Sequence, residues 1–165
     1  MTEPKIVVMG VSGCGKSRIG AALATRLDLR FLDGDSLHPA ANIAKMARGT
    51  PLDDDDRAPW LDAIGAALGT QADVVACSAL KRAYRDRIRA QAAGAVFVHL
   101  AGDRDVLARR VASRPGHFMP PALLDSQLAT LEPLAPDEAG FVVDLTQTPT
   151  QIVARIVTEG RFETA

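Results

Sequence analysis

The sequence predicts an α/β domain with a parallel sheet and crossover helices. Short β-branched or aromatic runs alternate along the chain with longer amphipathic stretches, which is the rhythm of βαβ units. A composition of 47% hydrophobic and 24% charged residues is that of an ordinary globular protein. The length of 165 residues suits one domain over 1–165 with a single hydrophobic core.

The strands are predicted from the short apolar runs, and the helices from apolar residues recurring every three to four positions. The first strand is the run Ile6-Val7-Val8-Met9 together with Lys5, and the fourth contains Ala95-Val96-Phe97-Val98. In chain order the predicted elements are strand 5–9, helix 16–27, strand 30–32, helices 37–47 and 56–68, strand 73–77, helix 80–91, strand 95–100, helices 104–112 and 121–131, strand 141–145 and helix 150–158. Prolines and glycines predict irregular connections at 115–121 and 132–140.

Charge and cysteine content exclude several classes of protein. A net charge of −1 gives no basic surplus for nucleic acid or an anionic membrane, so we expect neither partner. Two cysteines and a strand beginning about five residues into the chain argue against a disulfide framework and a signal peptide, which predicts a cytoplasmic protein. No apolar run approaches the roughly 20 residues that span a bilayer.

The most specific motif is a phosphate-binding loop directly after the first strand. It matches G-x-x-x-x-G-K-[ST] in full and comprises Gly10, Val11, Ser12, Gly13, Cys14, Gly15, Lys16 and Ser17. Its glycines let backbone N–H groups turn around a phosphate, Lys16 supplies a cation for the β- and γ-phosphates, and Ser17 is a candidate Mg²⁺ ligand. We therefore predict ATP and Mg²⁺ as cofactors. Cys14 precedes a helix N-terminus, which predicts a lowered thiol pKa and alkylation that MgATP blocks.

Two aspartates at the end of the second strand are candidates for the metal and the acceptor. A GTPase would need an N-K-x-D string and a D-x-x-G string directly after the third strand; the first is absent, and the third apolar run is followed by Ser78 rather than by an aspartate. Asp33 is the candidate for the water shell of the metal, and Asp35 for the acceptor hydroxyl, because ligands bind at the carboxyl edge of such sheets. The alternative is a turn in which the second aspartate caps the next helix.

The chain resembles gluconokinases of the small P-loop type over nearly its whole length. The strings that carry the resemblance are Phe31-Leu32-Asp33-Gly34-Asp35, Leu37-His38-Pro39, Asn42, Lys45-Met46, Gly49, Pro51-Leu52, Asp54, Asp56-Arg57, Pro59-Trp60-Leu61, Cys77-Ser78-Ala79-Leu80-Lys81, Tyr84-Arg85-Asp86, Gly116-His117-Phe118 and Ser126-Gln127. This resemblance implies transfer of the γ-phosphoryl group of ATP to the 6-hydroxyl of D-gluconate. It also implies a five-stranded parallel sheet in the order 2-3-1-4-5 with helices on both faces, a mobile lid and, often, a homodimer.

An anionic polyol needs a cation for its carboxylate and several polar groups for its hydroxyls. His38, Asn42 and Lys45 recur at helical spacing and are candidate substrate ligands, as is His117. For the carboxylate the candidates are Arg57, Lys81 and Arg85, which the sequence does not rank.

Acidic and large apolar residues near these candidates have simpler explanations. The run 53–56 is more typical of a solvated helix start, with Asp54 or Asp56 orienting Arg57, than of a metal cage. Trp60 and Met46 are predicted core residues.

Two arginines are predicted to serve the nucleotide. Arg110 and Arg114 lie four residues apart at the end of a helix, and a lid at about 114–121 follows, as in nucleoside-monophosphate-type kinases. That resemblance places Arg110 against the adenine and Arg114 at the transferring phosphoryl group, which with Lys16 and Asp35 completes the predicted catalytic set. Two alternatives stay open: another small-metabolite kinase, such as a shikimate kinase, and a nucleotide-binding regulator without turnover.

Overall fold

The computed structural model describes residues 3–113 and 121–162, and it forms one parallel sheet flanked by helices. The strands are β1 (Ile6–Met9), β2 (Phe31–Asp33), β3 (Val74–Ala76), β4 (Val96–Ala101) and β5 (Gly140–Asp144). The helices are α1 (Lys16–Leu27), α2 (Ala40–Ala47), α3 (Asp54–Ala67), α4 (Arg82–Gln91), α5 (Arg104–Ala112), α6 (Pro121–Thr130) and α7 (Pro149–Gly160), with a 3-10 turn at Gly34–Leu37.

The strand order is β2-β3-β1-β4-β5, and every pairing in it is parallel. This confirms the sheet that the family resemblance implies. The central strand β1 is fully buried because helices cover both of its faces. No helix among the described residues is long and apolar enough to span a membrane.

Alternate residues of the central strands feed two hydrophobic clusters. Ile6 and Val8 pack on one side with residues of α1 and α7, whereas Val7 and Met9 pack on the other side with residues of α3 and α4. Because all the strands run the same way, their carboxyl ends meet at one edge. The phosphate loop, Asp33 and the segment after β3 all lie at that edge.

Three helices start two or more residues from the predicted position. The helix predicted at 37–47 is a 3-10 turn and a separate α2, because His38 precedes Pro39 and adopts an extended conformation. Helix α3 begins at Asp54 rather than at 56, since Asp53 and Asp56 form a capping box. Helix α4 begins at Arg82 because Lys81 is extended and the N–H of Arg82 donates to Glu132 over 2.9 Å.

Candidate active site

The phosphate loop joins β1 to α1 in a shape that its glycines permit. Gly13 and Gly15 have φ values of 85° and 87°, in the left-handed region that glycine adopts without strain. A Cβ on Gly13 would lie 2.6 Å from Cγ2 of Val111, so α5 packs directly against the loop. Lys16 and Ser17 then open α1, whose first N–H groups point toward the loop.

The loop is connected to the end of β2 through one hydrogen bond. The Ser17 hydroxyl donates to Oδ2 of Asp33 over 2.8 Å, and Oδ1 of the same carboxylate accepts the backbone N–H of Asp35 over 3.0 Å. Asp33 thus starts the 3-10 turn and holds Asp35 beside the loop, with the Asp35 side chain exposed. The residue that caps the turn is therefore Asp33, whereas the alternative assigned a cap to Asp35. The predicted roles of the two aspartates are compatible with this geometry.

Hard oxygen ligands at Ser17 and Asp33 fit Mg²⁺. No group of three or more His, Cys, Asp or Glu side chains in the described ranges could hold a metal by itself. That donor set suits Mg²⁺, which usually binds through one or two protein oxygens together with phosphates and water.

A second contact to the loop comes from α6, through a residue for which the sequence predicted no role. The backbone N–H of Ser12 donates to Oε1 of Gln127 over 2.8 Å, and Nε2 of Gln127 donates to the Ser12 hydroxyl over 3.1 Å. Gln127 is part of the quoted Ser126-Gln127 string, but only the fold brings it to the loop across 115 residues of sequence.

Arg110 lies at the wall of a cavity of about 270 Å³ beside the loop. Its guanidinium donates to the carbonyl of Leu145 over 2.7 Å, and the cavity is also bordered by Gly15, Gln147 and Pro149. This cavity adjoins the phosphate loop where a base would extend from bound phosphates, so the predicted contact between Arg110 and adenine is geometrically possible.

The prediction of a lowered pKa for the Cys14 thiol is wrong. Its side chain is only 1% exposed, and burial raises the pKa of the thiol, against the opposing effects of Lys16 and Arg110. The helix N-terminus that suggested a thiolate is present, but desolvation of the charged form is larger.

His38 and Asn42 lie together against α3, at the acceptor side of the site. The imidazole stacks on Trp60 with ring centroids 4.2 Å apart, and Trp60 donates from Nε1 to the carbonyl of Gly34. Asn42 is buried, and its Nδ2 lies 2.9 Å from the carbonyl of Asp56 and 3.3 Å from Nδ1 of His38. Trp60 is therefore a core residue as predicted, whereas Met46 is 43% exposed and that prediction is wrong.

Lys45 is paired with Asp56 over 2.5 Å, and Asp53 lies 3.8 Å away. The Asp56 hydrogen bond raises the pKa of Lys45, and the same contact lowers the pKa of Asp56. Both groups are thus charged at neutral pH, and Asp56 holds the ammonium group at the α2–α3 junction.

Arg57 and Lys81 approach the ring of Tyr84 at 5.6 and 5.5 Å from its centroid. Both also reach Asp54, at 3.8 and 3.5 Å, and the hydroxyl of Tyr84 donates to the same carboxylate over 2.5 Å. The Tyr84 hydrogen bond and the two cations lower the pKa of Asp54. The expected contact between Asp54 and Arg57 is confirmed, and an anion already lies beside the two cations.

Arg85 is not available to a substrate, which corrects its prediction as a carboxylate ligand. Its side chain is fully buried and forms two hydrogen bonds with Glu138, at 2.8 and 3.1 Å. It also donates to the carbonyls of Ala79 and Leu80. Arg85 therefore supports the segment between β3 and α4, and Arg57 and Lys81 are left as the candidates for the substrate carboxylate.

Arg114 and His117, and most of the predicted lid at 114–121, lie outside the described residues, and their roles stay predictions.

Comparison with known proteins identifies the family of this chain. The Shikimate kinase family model matches residues 12–160. A curated gluconokinase from Gluconobacter oxydans (strain 621H) is 45% identical, over 92% of this chain and 88% of its own. The crystal structure of a gluconokinase from Sinorhizobium meliloti 1021 superposes with a TM-score of 0.84 at 46% identity, covering 99% of this chain and 98% of the other.

The crystal structure of a shikimate kinase from Bacteroides thetaiotaomicron has the same fold, with a TM-score of 0.70 over 96% of this chain and 98% of its own. Its sequence identity to this chain is only 18%. The sequence is therefore much more similar to the gluconokinases than to this shikimate kinase, although both groups have the same architecture. The chain belongs to the shikimate kinase family and, within it, to the gluconokinases.

Proposed function

We propose that this kinase transfers the γ-phosphoryl group of MgATP to the 6-hydroxyl of D-gluconate, giving 6-phospho-D-gluconate and ADP. The observation that carries the proposal is the hydrogen bond from Ser17 to Asp33, which joins the phosphate loop to the strand end that presents Asp35. A donor and an acceptor bound on either side of this contact would meet at one sheet edge.

On the nucleotide side, Lys16 and the loop N–H groups stabilise the charge that spreads over the transferring phosphoryl oxygens. Ser17 would hold Mg²⁺, with Asp33 in its water shell, and the ion would neutralise charge on the β- and γ-phosphates. Arg110 would contact the adenine, and Arg114 would reach the phosphoryl group.

On the acceptor side, Asp35 accepts a hydrogen bond from the attacking hydroxyl and thereby orients it or takes its proton. Arg57 and Lys81 bind the carboxylate of gluconate, because they already converge on the carboxylate of Asp54. His38 and Lys45, which lie near Asn42 on the same side, contribute contacts to the sugar-acid hydroxyls.

A coupled assay of ADP release tests this function against its alternatives. We expect ADP release that depends on gluconate, a phosphorylated product seen by mass spectrometry, and little turnover with shikimate. Turnover with shikimate in place of gluconate would identify a different small-metabolite kinase. Nucleotide binding without turnover on either acid would identify a regulator.

Lys16→Ala is the matched negative control for the assay. The side chain serves the phosphates and contributes no core packing, so the variant should fold normally and lose well over tenfold in kcat. Activity within about tenfold of the wild type would contradict the assigned role of Lys16.

A further inference from the structure

The buried side chain of Asn42 sets the hydrogen-bonding state of His38. Nδ2 of Asn42 lies 2.9 Å from the carbonyl oxygen of Asp56, which can only accept, so this end of the amide must be the NH₂ group. The second hydrogen of that group is directed at Nδ1 of His38, 3.3 Å away. With both hydrogens engaged, the Asn42 nitrogen has none to offer a substrate.

An acceptor role at Nδ1 determines which nitrogen of the ring carries hydrogen. A neutral imidazole has one donor and one acceptor nitrogen, so acceptance at Nδ1 leaves the hydrogen on Nε2. The stack on Trp60, with an interplanar angle of 14°, fixes the plane of the ring. Trp60 is itself held by its hydrogen bond to Gly34, so the stack and the contact with Asn42 together fix the direction of the Nε2–H bond.

The charged surroundings favour this neutral ring. Burial lowers the pKa of His38 and Arg57 on α3 adds to that effect, whereas Asp35 on the 3-10 turn opposes it. The remaining charges near Asn42, those of Lys45 and Asp56, are paired with each other. A proton added at Nδ1 would also face the NH₂ group of Asn42, so the contact with Asn42 disfavours the imidazolium.

We propose that Asn42 is a positioning residue that holds His38 as the Nε2–H tautomer, so that His38 donates one neutral hydrogen bond to a hydroxyl of the acceptor. This inference rests on the proposed gluconate kinase activity for its substrate, but not for its tautomer. A neutral donor suits a polyol, because it forms a hydrogen bond with a hydroxyl and adds no positive charge to that of the cations that bind the carboxylate.

Nitrogen NMR of labelled histidine tests the tautomer without any activity. The chain has three histidines, and the resonances of His38 are those missing from His38→Gln. We expect the Nε2–H form in the wild type. Asn42→Leu keeps the approximate size of the side chain without its donor, so it should give a mixture of tautomers. Asn42→Asp places an acceptor at Nδ1, so it should favour Nδ1–H and raise the pKa of His38.

Kinetics of the same variants test the consequence for binding. Because one well-placed hydrogen bond is lost, KM for gluconate should rise about tenfold in both variants, whereas KM for ATP should stay within about twofold. In Asn42→Asp, KM for gluconate should also become pH-dependent between about pH 6 and 8, because His38 then titrates in that range. Ile43→Ala, on the exposed face of α2, is the matched control and should change neither constant.

An Nδ1–H tautomer in the wild type would overturn the proposal. So would an unchanged tautomer and KM in folded Asn42→Leu and Asn42→Asp, with folding checked by thermal denaturation. A wild type that shows the Nε2–H tautomer but no turnover of gluconate would instead contradict the proposed function, so the two failures are distinguishable.

Discussion

Asp35 and Asp33 are two residues apart but have different partners, which separates their expected roles. Asp33 is engaged by Ser17 and by the backbone of Asp35, whereas the Asp35 side chain is exposed at the sheet edge. Asp35→Asn keeps the shape and removes the charge, so kcat should fall by about 10²–10⁴-fold with a smaller change in KM for gluconate. Steady-state kinetics at saturating Mg²⁺ measure both constants.

Asp33→Asn is the comparison variant for this prediction. A role in the water shell of the metal predicts a higher Mg²⁺ requirement, with kcat recovering as Mg²⁺ is increased. If Asp35→Asn keeps a near-normal kcat while Asp33→Asn loses activity at every Mg²⁺ concentration, the two roles are exchanged. A flat pH profile in the wild type would favour orientation of the hydroxyl over proton removal.

Cys14 is a second single residue for which burial reverses the prediction, since its position before a helix N-terminus predicted a lowered thiol pKa. Because burial raises the pKa of its thiol, the group stays protonated at neutral pH, and the native enzyme should react slowly with iodoacetamide. Labelling should become rapid only when denaturant exposes the side chain. Mass spectrometry with and without MgATP measures the rate, and fast nucleotide-sensitive labelling of the native protein would contradict this expectation.

Among the elements, α6 is the one whose contact with the site depends most on tertiary structure. Leu124 buries one side of the helix in the core, and Gln127 reaches the phosphate loop from it. Gln127→Ala removes two partly buried hydrogen bonds at the tip of the loop, so kcat/KM for ATP should fall by about 3- to 30-fold. Initial rates over a range of ATP concentrations test this.

Ser126→Ala, at the exposed neighbouring position, is the control for α6 and should behave as the wild type. Unchanged kinetics in Gln127→Ala would show that Val111 and the helix α1 hold the loop without it. A fall in thermal stability of both variants, with no kinetic difference between them, would point to a structural effect alone.

Elements with a strong local signal were predicted well from the sequence. Helices α1 and α5 have the predicted bounds, and the strands deviate by a residue or so at their ends. The helix starts that were predicted wrongly depend on turn conformations and capping hydrogen bonds, which the spacing of apolar residues does not show. The start of α4, for example, is fixed by Glu132, which accepts the N–H of Arg82 from 50 residues away.

For the candidate site, the contiguous motifs were predicted from the sequence, whereas contacts between distant residues were not. The phosphate loop and Asp33-Gly34-Asp35 are contiguous motifs, so residue type and spacing identified them. Arg57 and Arg85 are equivalent in sequence, and only burial beside Glu138 separates the buried arginine from the accessible one. The contact between Gln127 and Ser12 has no local signal at all, because it exists only once α6 packs beside the loop.

For the molecule as a whole, the ion pair of Arg85 and Glu138 joins α4 to the segment before β5. Both side chains are fully buried, and Arg89 also reaches Glu138 over 2.7 Å. Burial by itself would raise the pKa of Glu138, but hydrogen bonds from Arg85, Arg89 and the N–H of Ala135 lower it to about 2. Their stabilising contribution is therefore complete above the unfolded pKa and is lost as pH falls toward 2.

Glu138→Gln should reduce the free energy of unfolding at pH 7 by about 3–5 kcal/mol, because it leaves the buried Arg85 without a counter-ion. The difference from the wild type should shrink between about pH 4.5 and 2, where the wild-type carboxylate is itself protonated. Urea unfolding followed by circular dichroism at several pH values measures both effects. Asp62→Asn, which breaks the exposed pair with Arg87, should cost no more than about 1 kcal/mol. Equal losses in the two variants, or a constant difference at every pH, would show that the buried pair does not carry this stability.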